Sequence, residues 1–548
     1  MKKSLTLYYS GLVAAVLLFL ASCNSLDLAP TNKFTDLNYW TSADKASSVL
    51  SMAYSQMFNS DYYFANENLT DNLYQDRGNS DEKIFTLGQA NAALGRFANE
   101  WSDCYAGIKT CHTFLENVDR VPDMDEALKT RMKAEARFIR AFLYFRLASQ
   151  YGDVPLFDHN LTLEESAVLS RTPKADVVNF VRTELNAIVT DLPTKQEYAA
   201  ADNGRITKGA VMMLLARTYL YENDWTNVAS ICEGIINGTY GQYALFSSYE
   251  GLFLPGDANY SNKYNSEIIL DLGYALGAKT WSNYYDAIPL TEGGRISAFA
   301  PTQELVDDYI MLNGKGITES GSGYDENNSY VNRDPRLNAI VYDGYHWQKA
   351  DGTIDIIHIA PGSSVAAGLE KPTVDEYAGP GQNSSATGYY LRKWYDPLAP
   401  QGMASGLNLI LMRYADVLLM YAEAKNELGQ MNADIWNETI GAIRARAGFT
   451  DVSALSYPAD GSDMRNIIRR ERRCELALEG LRLFDIRRWK TAETVMNGTP
   501  HGAKFVNDNT QYIILGARAF DPNRSYLFAV PQSQIDIDKN LLPQNQGY

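Results

Sequence analysis

The chain has 548 residues, enough for several domains of about 100–200 residues each or for one large helical array. Hydrophobic residues make up 45% of it and charged residues 21%, which is typical of globular proteins and argues against intrinsic disorder. The formal net charge of −17 argues against nucleic acid as a partner, because an acidic surface repels a phosphate backbone.

The N-terminus has the features of a secretion signal. Lys2 and Lys3 precede an apolar run at residues 12–21, and small residues follow it. The run is shorter than the roughly 20 apolar residues that a membrane-spanning helix needs. We therefore predict a cleaved signal peptide at residues 1–22.

The residues LASC at positions 20–23 resemble a bacterial lipobox. The cysteine of a lipobox, here Cys23, receives a diacylglyceryl group and becomes the first residue after cleavage. Each buried CH₂ of an acyl chain contributes about 0.8 kcal/mol, so several chains anchor a protein stably. We predict lipidation at Cys23 and a tether at residues 23–40. An ordinary signal peptide with a coincidental cysteine is the alternative.

Helical periodicity begins near Ser42 and continues to about Met57, with a second stretch over roughly 96–118 and a third over 125–151. The third stretch carries two adjacent apolar stripes, formed by Met132, Ala136, Ile139 and Leu143 and by Phe138, Phe142 and Phe145. A helix with two such stripes is packed on both sides, as in a stack of helices.

Two helical hairpins are predicted further along the chain, at Gly209–Asn237 and Tyr414–Gly448. Each has two amphipathic segments around a short turn, with small residues where the helices approach. The layout resembles tetratricopeptide hairpins and predicts a short helical array rather than a regular solenoid.

The character of the chain changes between about residues 240 and 406. Strand-like segments occur at Glu267–Leu272, Ala339–Asp343, Thr353–Ala360 and Tyr389–Trp394. Loops rich in Gly, Ser, Asn and Tyr separate them, notably at 314–332 and 361–388. We predict one domain over 41–548 with this region as a variable, loop-rich insertion, and such loops are usually functional.

No catalytic or metal-binding motif is found. The histidines, which lie at positions 112, 159, 346, 358 and 501, have no metal-ligand spacing, and HExxH, GxSxG and Walker motifs are absent from the sequence. The segment 71–82 has the length of an EF-hand loop but the wrong residues at its ligand positions. We therefore predict a protein that is not an enzyme and binds no metal or cofactor. A glycosidase remains the alternative, because glycoside hydrolysis needs only two well-placed carboxylates.

Cysteines occur at positions 104, 111, 232 and 474, without a CxxC motif. Cys104 and Cys111 are seven residues apart on a predicted helix and hence on one face. One disulfide and four buried free thiols are both compatible with this pattern.

Several segments in order resemble the SusD/RagB family of outer-membrane lipoproteins of Bacteroidetes. They are the lipobox at Cys23 and the blocks Glu135–Leu156, Gly204–Tyr221, Pro301–Tyr309, Arg333–Leu337, Leu411–Gly429, Ile440–Gly448, Glu471–Trp489 and Leu527–Tyr548. The resemblance implies a mainly α fold, a SusD-like helical array with tetratricopeptide-like hairpins and a middle region of loops and short strands. In the block Glu471–Trp489, buried arginines need acidic partners. We expect them to pair with the carboxylates of the same block, and we expect these ion pairs to maintain the fold.

The resemblance also implies a function. Family members sit as lids on a SusC-like TonB-dependent outer membrane transporter and capture oligomeric nutrients, usually glycans and for some members peptides. This implies a surface-exposed, lipid-anchored protein whose partners are the transporter, an oligosaccharide or peptide, and the membrane. A RagB-like peptide-binding protein, a surface glycosidase and a helical scaffold that binds only proteins are the competing interpretations.

The candidate ligand residues come from the early segment and from the variable middle. Sugars offer apolar C–H faces and many hydroxyls, which flat rings and planar polar groups complement. The candidates are Asp71, Arg77, Trp101, Trp281, Tyr284 and Tyr285. Packing is the alternative role for each aromatic ring, and a salt bridge between Asp71 and Arg77 is the alternative for that pair.

Overall fold

The computed structural model describes residues 39–76, 78–399, 402–458, 463–505 and 511–548. The predicted signal peptide at 1–22, Cys23, all but the last two residues of the tether at 23–40, and Arg77 lie outside the described residues.

Helices are the main secondary structure of the described residues, as the sequence predicts. The first half contains α1 (Ala43–Met57), α2 (Ser60–Asn68), α3 (Asp81–Thr86), α4 (Gly95–Asn117), α5 (Glu126–Tyr151), α6 (Lys174–Ile188), α7 (Lys208–Leu220) and α8 (Trp225–Ile236). The second half contains α9 (Gln303–Asp308), α10 (Tyr414–Glu427), α11 (Ala433–Trp436, continued by Asn437–Gly441 and Ala442–Ala447), α12 (Met464–Glu475), α13 (Arg482–Arg488) and α14 (Gln532–Ile537). Single helical turns occur at Leu163–Ser166, Ser363–Ala366, Val452–Leu455 and Ala492–Val495.

The central helix α5 confirms the two-stripe prediction. The Asp125 side chain accepts a hydrogen bond from the Leu128 N–H and caps the helix, and Gly152 ends it at φ +76°. Helices α4 and α6 pack on α5 from two sides. A Cβ at Gly107 of α4 would lie only 2.6 Å from Leu143 Cδ1, so glycine allows the close approach of α4 and α5.

The two predicted hairpins form as α7–α8 and α10–α11. Helix α8 packs against α7 and α10, and α10 packs against α12. The hairpins thereby extend the stack that begins with α1, α4, α5 and α6. This is the helical array that the sequence predicts.

Ten short strands form five antiparallel pairs in the described residues. They are β1 (Leu73–Gln75), β2 (Ile268–Leu272), β3 (Phe299–Pro301), β4 (Ile340–Val341), β5 (Tyr345–Gln348), β6 (Ile354–Ile357), β7 (Tyr390–Leu391), β8 (Leu409–Arg413), β9 (His501–Lys504) and β10 (Tyr512–Ile514). The pairs are β1–β3, β2–β8, β4–β7, β5–β6 and β9–β10. All four predicted strands are present, but each is shorter than predicted. A strand ends where its short partner no longer offers backbone hydrogen bonds.

A buried network of charges joins the late helices to the middle region. Glu475 of α12 accepts hydrogen bonds from Arg336 at 2.9 Å, from Arg413 at 2.6 Å, and from Arg446. Arg413 also contacts Glu479. These carboxylates were expected to pair with arginines of their own block, but their partners come from other segments, because the packed helices bring distant guanidinium groups closer.

The arginines of the late block differ in their partners. Arg472 pairs with Asp485 at 2.7 Å, and Arg488 pairs with the same carboxylate at 2.9 Å, as expected. Arg482 instead pairs with Asp71. Arg487 makes no ion pair within the described part of the chain.

The cysteines at positions 104, 111, 232 and 474 are free and buried. Burial raises the pKa of the Cys104 and Cys111 thiols to about 12, so both stay protonated at neutral pH. Among the residues described here, no helix is long and apolar enough to cross a bilayer.

Candidate ligand-binding site

Asp71 lies on a buried turn between α2 and β1. Its carboxylate accepts two hydrogen bonds of 2.8 Å from Arg482 and forms an ion pair of 2.9 Å with Arg473. Burial alone would raise the pKa of Asp71, but the two guanidinium groups outweigh it and hold that pKa well below its usual range. The neighbouring Asn72 contacts Arg473 Nε through Oδ1 at 2.9 Å. The early segment is thus fixed to the late helices.

A cleft of about 420 Å³ opens beside this ion pair, between the early segment, α9 and the chain near residue 500. We call it the Asp71 cleft. It is lined by Asp71, Glu304, Asp307, Asp308, Arg473, Thr494, Val495, Asn497, Gly498, Thr499, Pro500 and Arg518. Its volume falls in the range of small-molecule sites.

Helix α9 contributes three carboxylates to the cleft, from Glu304, Asp307 and Asp308. Asp308 pairs with Arg473 at 2.6 Å and keeps about 35% of its side chain exposed. Burial raises the pKa of Asp307, whose Oδ1 accepts a hydrogen bond of 2.7 Å from Gln303. The cleft therefore offers acceptors on α9, and the Arg518 guanidinium in its lining adds donors.

An aromatic ring lies near the cleft, next to a histidine that contacts the lining residue Glu304. His501 of β9 contacts Glu304 through Nδ1 at 2.7 Å, and the Tyr512 ring of β10 lies 5.7 Å from the His501 ring at 61°. Tyr512 is half-buried, and burial together with the carboxylates nearby raises its pKa to about 12. The phenol thus stays neutral and can act as donor or acceptor.

These residues were not among the sequence candidates. The positions 304, 307 and 308 follow the i, i+3, i+4 spacing of one helix face, and this signal could have indicated them. No local sequence pattern connects these three carboxylates to Tyr512. The pairing of β9 with β10 brings the Tyr512 ring next to His501.

The predicted tryptophans are buried. Trp101 is 4% exposed and packs edge-on against Tyr151 at 5.1 Å between ring centroids. Trp281 is 3% exposed, and its indole N–H donates a 2.7 Å hydrogen bond to the Leu407 carbonyl. Both rings are covered by protein in this conformation, and their contact with a ligand stays a prediction.

The two predicted tyrosines lie in the 3₁₀ turn Asn283–Asp286. Tyr284 is buried and donates to the Leu391 carbonyl at 2.8 Å. Tyr285 is half-buried, with the Arg295 guanidinium 5.6 Å from its ring. Trp281 precedes the turn in an extended bridge to Ser405, so it does not share a helix face with Tyr285. Of the candidates that the structure describes, only Asp71 lines the cleft.

No group of metal-ligating side chains occurs within the described ranges. The segment 71–82 passes through β1 into the first turn of α3 instead of forming a cation-binding loop.

Comparison with known families decides the classification. Residues 266–548 match the SusD family, and residues 26–220 match a family described as starch-binding and associating with the outer membrane. The chain belongs to the SusD family. The resemblance noted in the sequence and the helical array are therefore both confirmed.

Relatives of this SusD-family chain match it over different shares of its length. SusD-like protein P2 of Formosa agariphila is 27% identical over 97% of this chain and 98% of the relative. The starch-binding protein SusD of Bacteroides thetaiotaomicron is 28% identical over 33% of this chain and 31% of the relative. The crystal structure of a SusD-like carbohydrate binding protein from Bacteroides fragilis is 29% identical, with a TM-score of 0.81 over 92% of this chain and 100% of that chain.

Proposed function

We propose that this SusD-family protein binds an oligosaccharide in the Asp71 cleft and passes it to a SusC-like TonB-dependent transporter in the outer membrane. The observation that carries the proposal is the lining of the cleft, in which carboxylates, guanidinium groups and an amide surround one open space beside a tyrosine ring.

The chemistry of the cleft suits a sugar. Each hydroxyl both donates and accepts, and in the cleft the carboxylates of α9 can accept hydrogen bonds while the Arg518 guanidinium can donate them. The face of Tyr512 can cover an apolar pyranose face near the cleft. The relatives named as carbohydrate-binding and starch-binding support this ligand class.

The proposal includes a lipid anchor at Cys23 and a position at the cell surface. The family match that includes residues 26–220 carries a description that refers to the outer membrane, which supports this location. Acylation of Cys23 would hold the helical array at the membrane, so that it could act as a lid on the transporter.

Calorimetry tests which class of ligand binds and whether it binds in the Asp71 cleft. The chain without residues 1–23 is titrated with neutral glycans and peptides, and we expect micromolar binding of a glycan that Asp307→Asn or Tyr512→Ala weakens at least tenfold. Asp536→Asn, which removes a carboxylate that is 61% exposed on α14, is the matched control and should change nothing. Binding of peptides alone, or equal binding by all variants, would reject the cleft.

Two further measurements test the partnership with the transporter and the absence of glycoside hydrolysis. Mild detergent extraction should recover the protein together with a large TonB-dependent barrel, and recovery as a clean monomer would count against the lid. Incubation with the bound glycan should release no product; hydrolysis that Glu304→Gln abolishes would identify a glycosidase instead.

A further inference from the structure

A second concave surface lies on the helical side of the protein. It is a groove of about 500 Å³ between the end of α5, the α7–α8 turn, α13 and the C-terminal segment. We call it the basic groove. Its charged lining residues are Lys174, Arg487, Arg488, Lys490, Arg524 and, as the one acid, Glu222. This excess of cations stands out in a chain whose formal net charge is −17.

Arg487 is a buried cation of this groove, at 7% exposure. Its guanidinium donates to Gln150 Oε1 at 2.7 Å and to the Ser525 carbonyl at 3.3 Å, and its Nε has no partner in the described structure. Buried arginine is normally paired with a carboxylate, because an uncompensated charge is expensive to desolvate. Burial lowers the pKa of Arg487 to about 10, so it remains charged at neutral pH.

Two more cations of the groove lack an acidic partner among the described residues. Lys490 is exposed, and its ammonium lies 3.9 Å from the centre of the Tyr526 ring. Arg524 donates to the Gly88 carbonyl and leaves its buried Nε without a partner. By contrast, Arg488 forms two 2.6 Å hydrogen bonds with Glu423, and Lys174 pairs with Glu222 at 2.8 Å.

Lys490 also has a strained backbone. It follows the last turn of α13 at φ +56°, the left-handed region in which glycine is the usual residue after a helix. A non-glycine residue is disfavoured there, and such outliers concentrate at functional sites. Glycine would be more stable at this backbone position, whereas lysine places a positive charge at the groove.

From these contacts we infer that the basic groove is a second ligand site, which binds a sulfate ester or uronate carboxylate of an acidic oligosaccharide. Guanidinium forks match the geometry of such oxyanions, and the three unpaired cations supply the compensating charge. Tyr221 and Phe484 stack at 5.7 Å and 24° in the wall of the groove, and Tyr526 adds a third ring. These rings favour a sugar over a bare ion. The inference rests on the proposed function only in taking the ligand to be an oligosaccharide.

Calorimetry on the full mature chain in detergent tests the groove. The probes are a chondroitin 6-sulfate hexasaccharide, neutral cellohexaose and inorganic sulfate as a competitor. We expect the sulfated probe to bind at least tenfold more tightly than the neutral one, and sulfate to displace it. Lys490→Gly should weaken this binding about tenfold and flatten its salt dependence, while the thermal midpoint stays equal or rises because the backbone strain is relieved.

Controls keep this result separate from the Asp71 cleft. Lys371→Gln removes an exposed lysine of the middle region and should leave the affinity unchanged. Tyr512→Ala should weaken neutral glycans and spare the sulfated probe if both sites exist. The inference is overturned if Lys490→Gly binds like the parent, if Tyr512→Ala abolishes both ligands, or if only phosphatidylglycerol vesicles bind the groove. Loss of neutral glycan binding alone would reject the proposed function and leave the anion site intact.

Discussion

Asp71 and Arg473 form a buried ion pair of 2.9 Å that joins the beginning of the fold to one of its last helices. The two side chains are 5% and 6% exposed, and Arg482 completes the contact from α13. The pair forms part of the wall of the Asp71 cleft. It therefore connects the stability of the helical array with the shape of the proposed glycan site.

Asp71→Asn should lower the free energy of unfolding by about 3–5 kcal/mol, because it leaves the largely buried Arg482 without a counter-charge and leaves Arg473 with Asp308 alone. Urea denaturation followed by circular dichroism measures the change. The depressed pKa of Asp71 also means that its contribution is present above the ordinary aspartate pKa of about 4 and is lost as the pH falls towards the folded value.

The control for Asp71 is Glu427→Gln, which breaks an ion pair with Arg465, whose side chain is 55% exposed. Exposed pairs contribute about 0–1 kcal/mol, so this variant should unfold almost like the parent. Equal stability of the Asp71 variant and the control would contradict the structural role of Asp71.

Glu475→Gln should lower the free energy of unfolding by about 3–5 kcal/mol, because this one buried carboxylate pairs with three guanidinium groups. The amide has the same shape, so the loss reports charge rather than packing. Glu126→Gln, at a carboxylate that is 82% exposed, is the control. A midpoint shift of equal size in both variants would show that the network is dispensable.

His112 predicts an acid-sensitive step in stability. It is 1% exposed on α4, neither ring nitrogen has a partner in the described structure, and burial, with Arg140 nearby, lowers its pKa to about 4. The unfolded chain takes up this proton near pH 6.5, so stability falls as the pH drops from about 6.5 to 4, by up to about 3 kcal/mol. His112→Phe should flatten this part of the profile.

His159 is a control of opposite sign. It is half-exposed beside Asp158 and Glu165, which raise its pKa, so its contribution is present at low pH and is lost as the pH rises. His159→Gln should therefore leave the loss of stability between pH 6.5 and 4 in place. If the parent profile is flat over this range, the assignment to His112 is wrong.

Trp281→Phe distinguishes packing from ligand contact. The change removes the hydrogen bond to the Leu407 carbonyl and part of the buried ring, and should lower the free energy of unfolding by about 1–3 kcal/mol. We expect glycan affinity to stay within about twofold of the parent, as measured by calorimetry. A large loss of affinity at unchanged stability would support the contact predicted from the sequence.

The helices could be predicted because their signals are local. The two apolar stripes of α5, the Asp125 cap and Gly152 lie within one continuous segment, so periodicity and end signals identify the element without knowledge of its neighbours. The same holds for the hairpins α7–α8 and α10–α11. The ordered family blocks then indicated which array these helices form.

The partners of the charged residues could not be predicted in this way. The sequence offered a salt bridge with Arg77 as one alternative for Asp71, and Arg77 lies outside the described residues. The structure pairs Asp71 with Arg473 and Arg482 across some 400 residues, which no local pattern indicated. Trp281 and Tyr284 were candidates for ligand contact with packing as the alternative, and the fold buries both rings with hydrogen bonds to the Leu407 and Leu391 carbonyls.

The sequence by itself determined the helical array, the loop-rich middle and the family, because these depend on apolar periodicity and on the order of blocks along the chain. The tertiary structure alone decided where the Asp71 cleft and the basic groove lie and which cations remain unpaired. The physical reason is that desolvated charges are compensated by whichever groups the packed helices bring within a few ångströms, and that proximity leaves no mark on the local sequence.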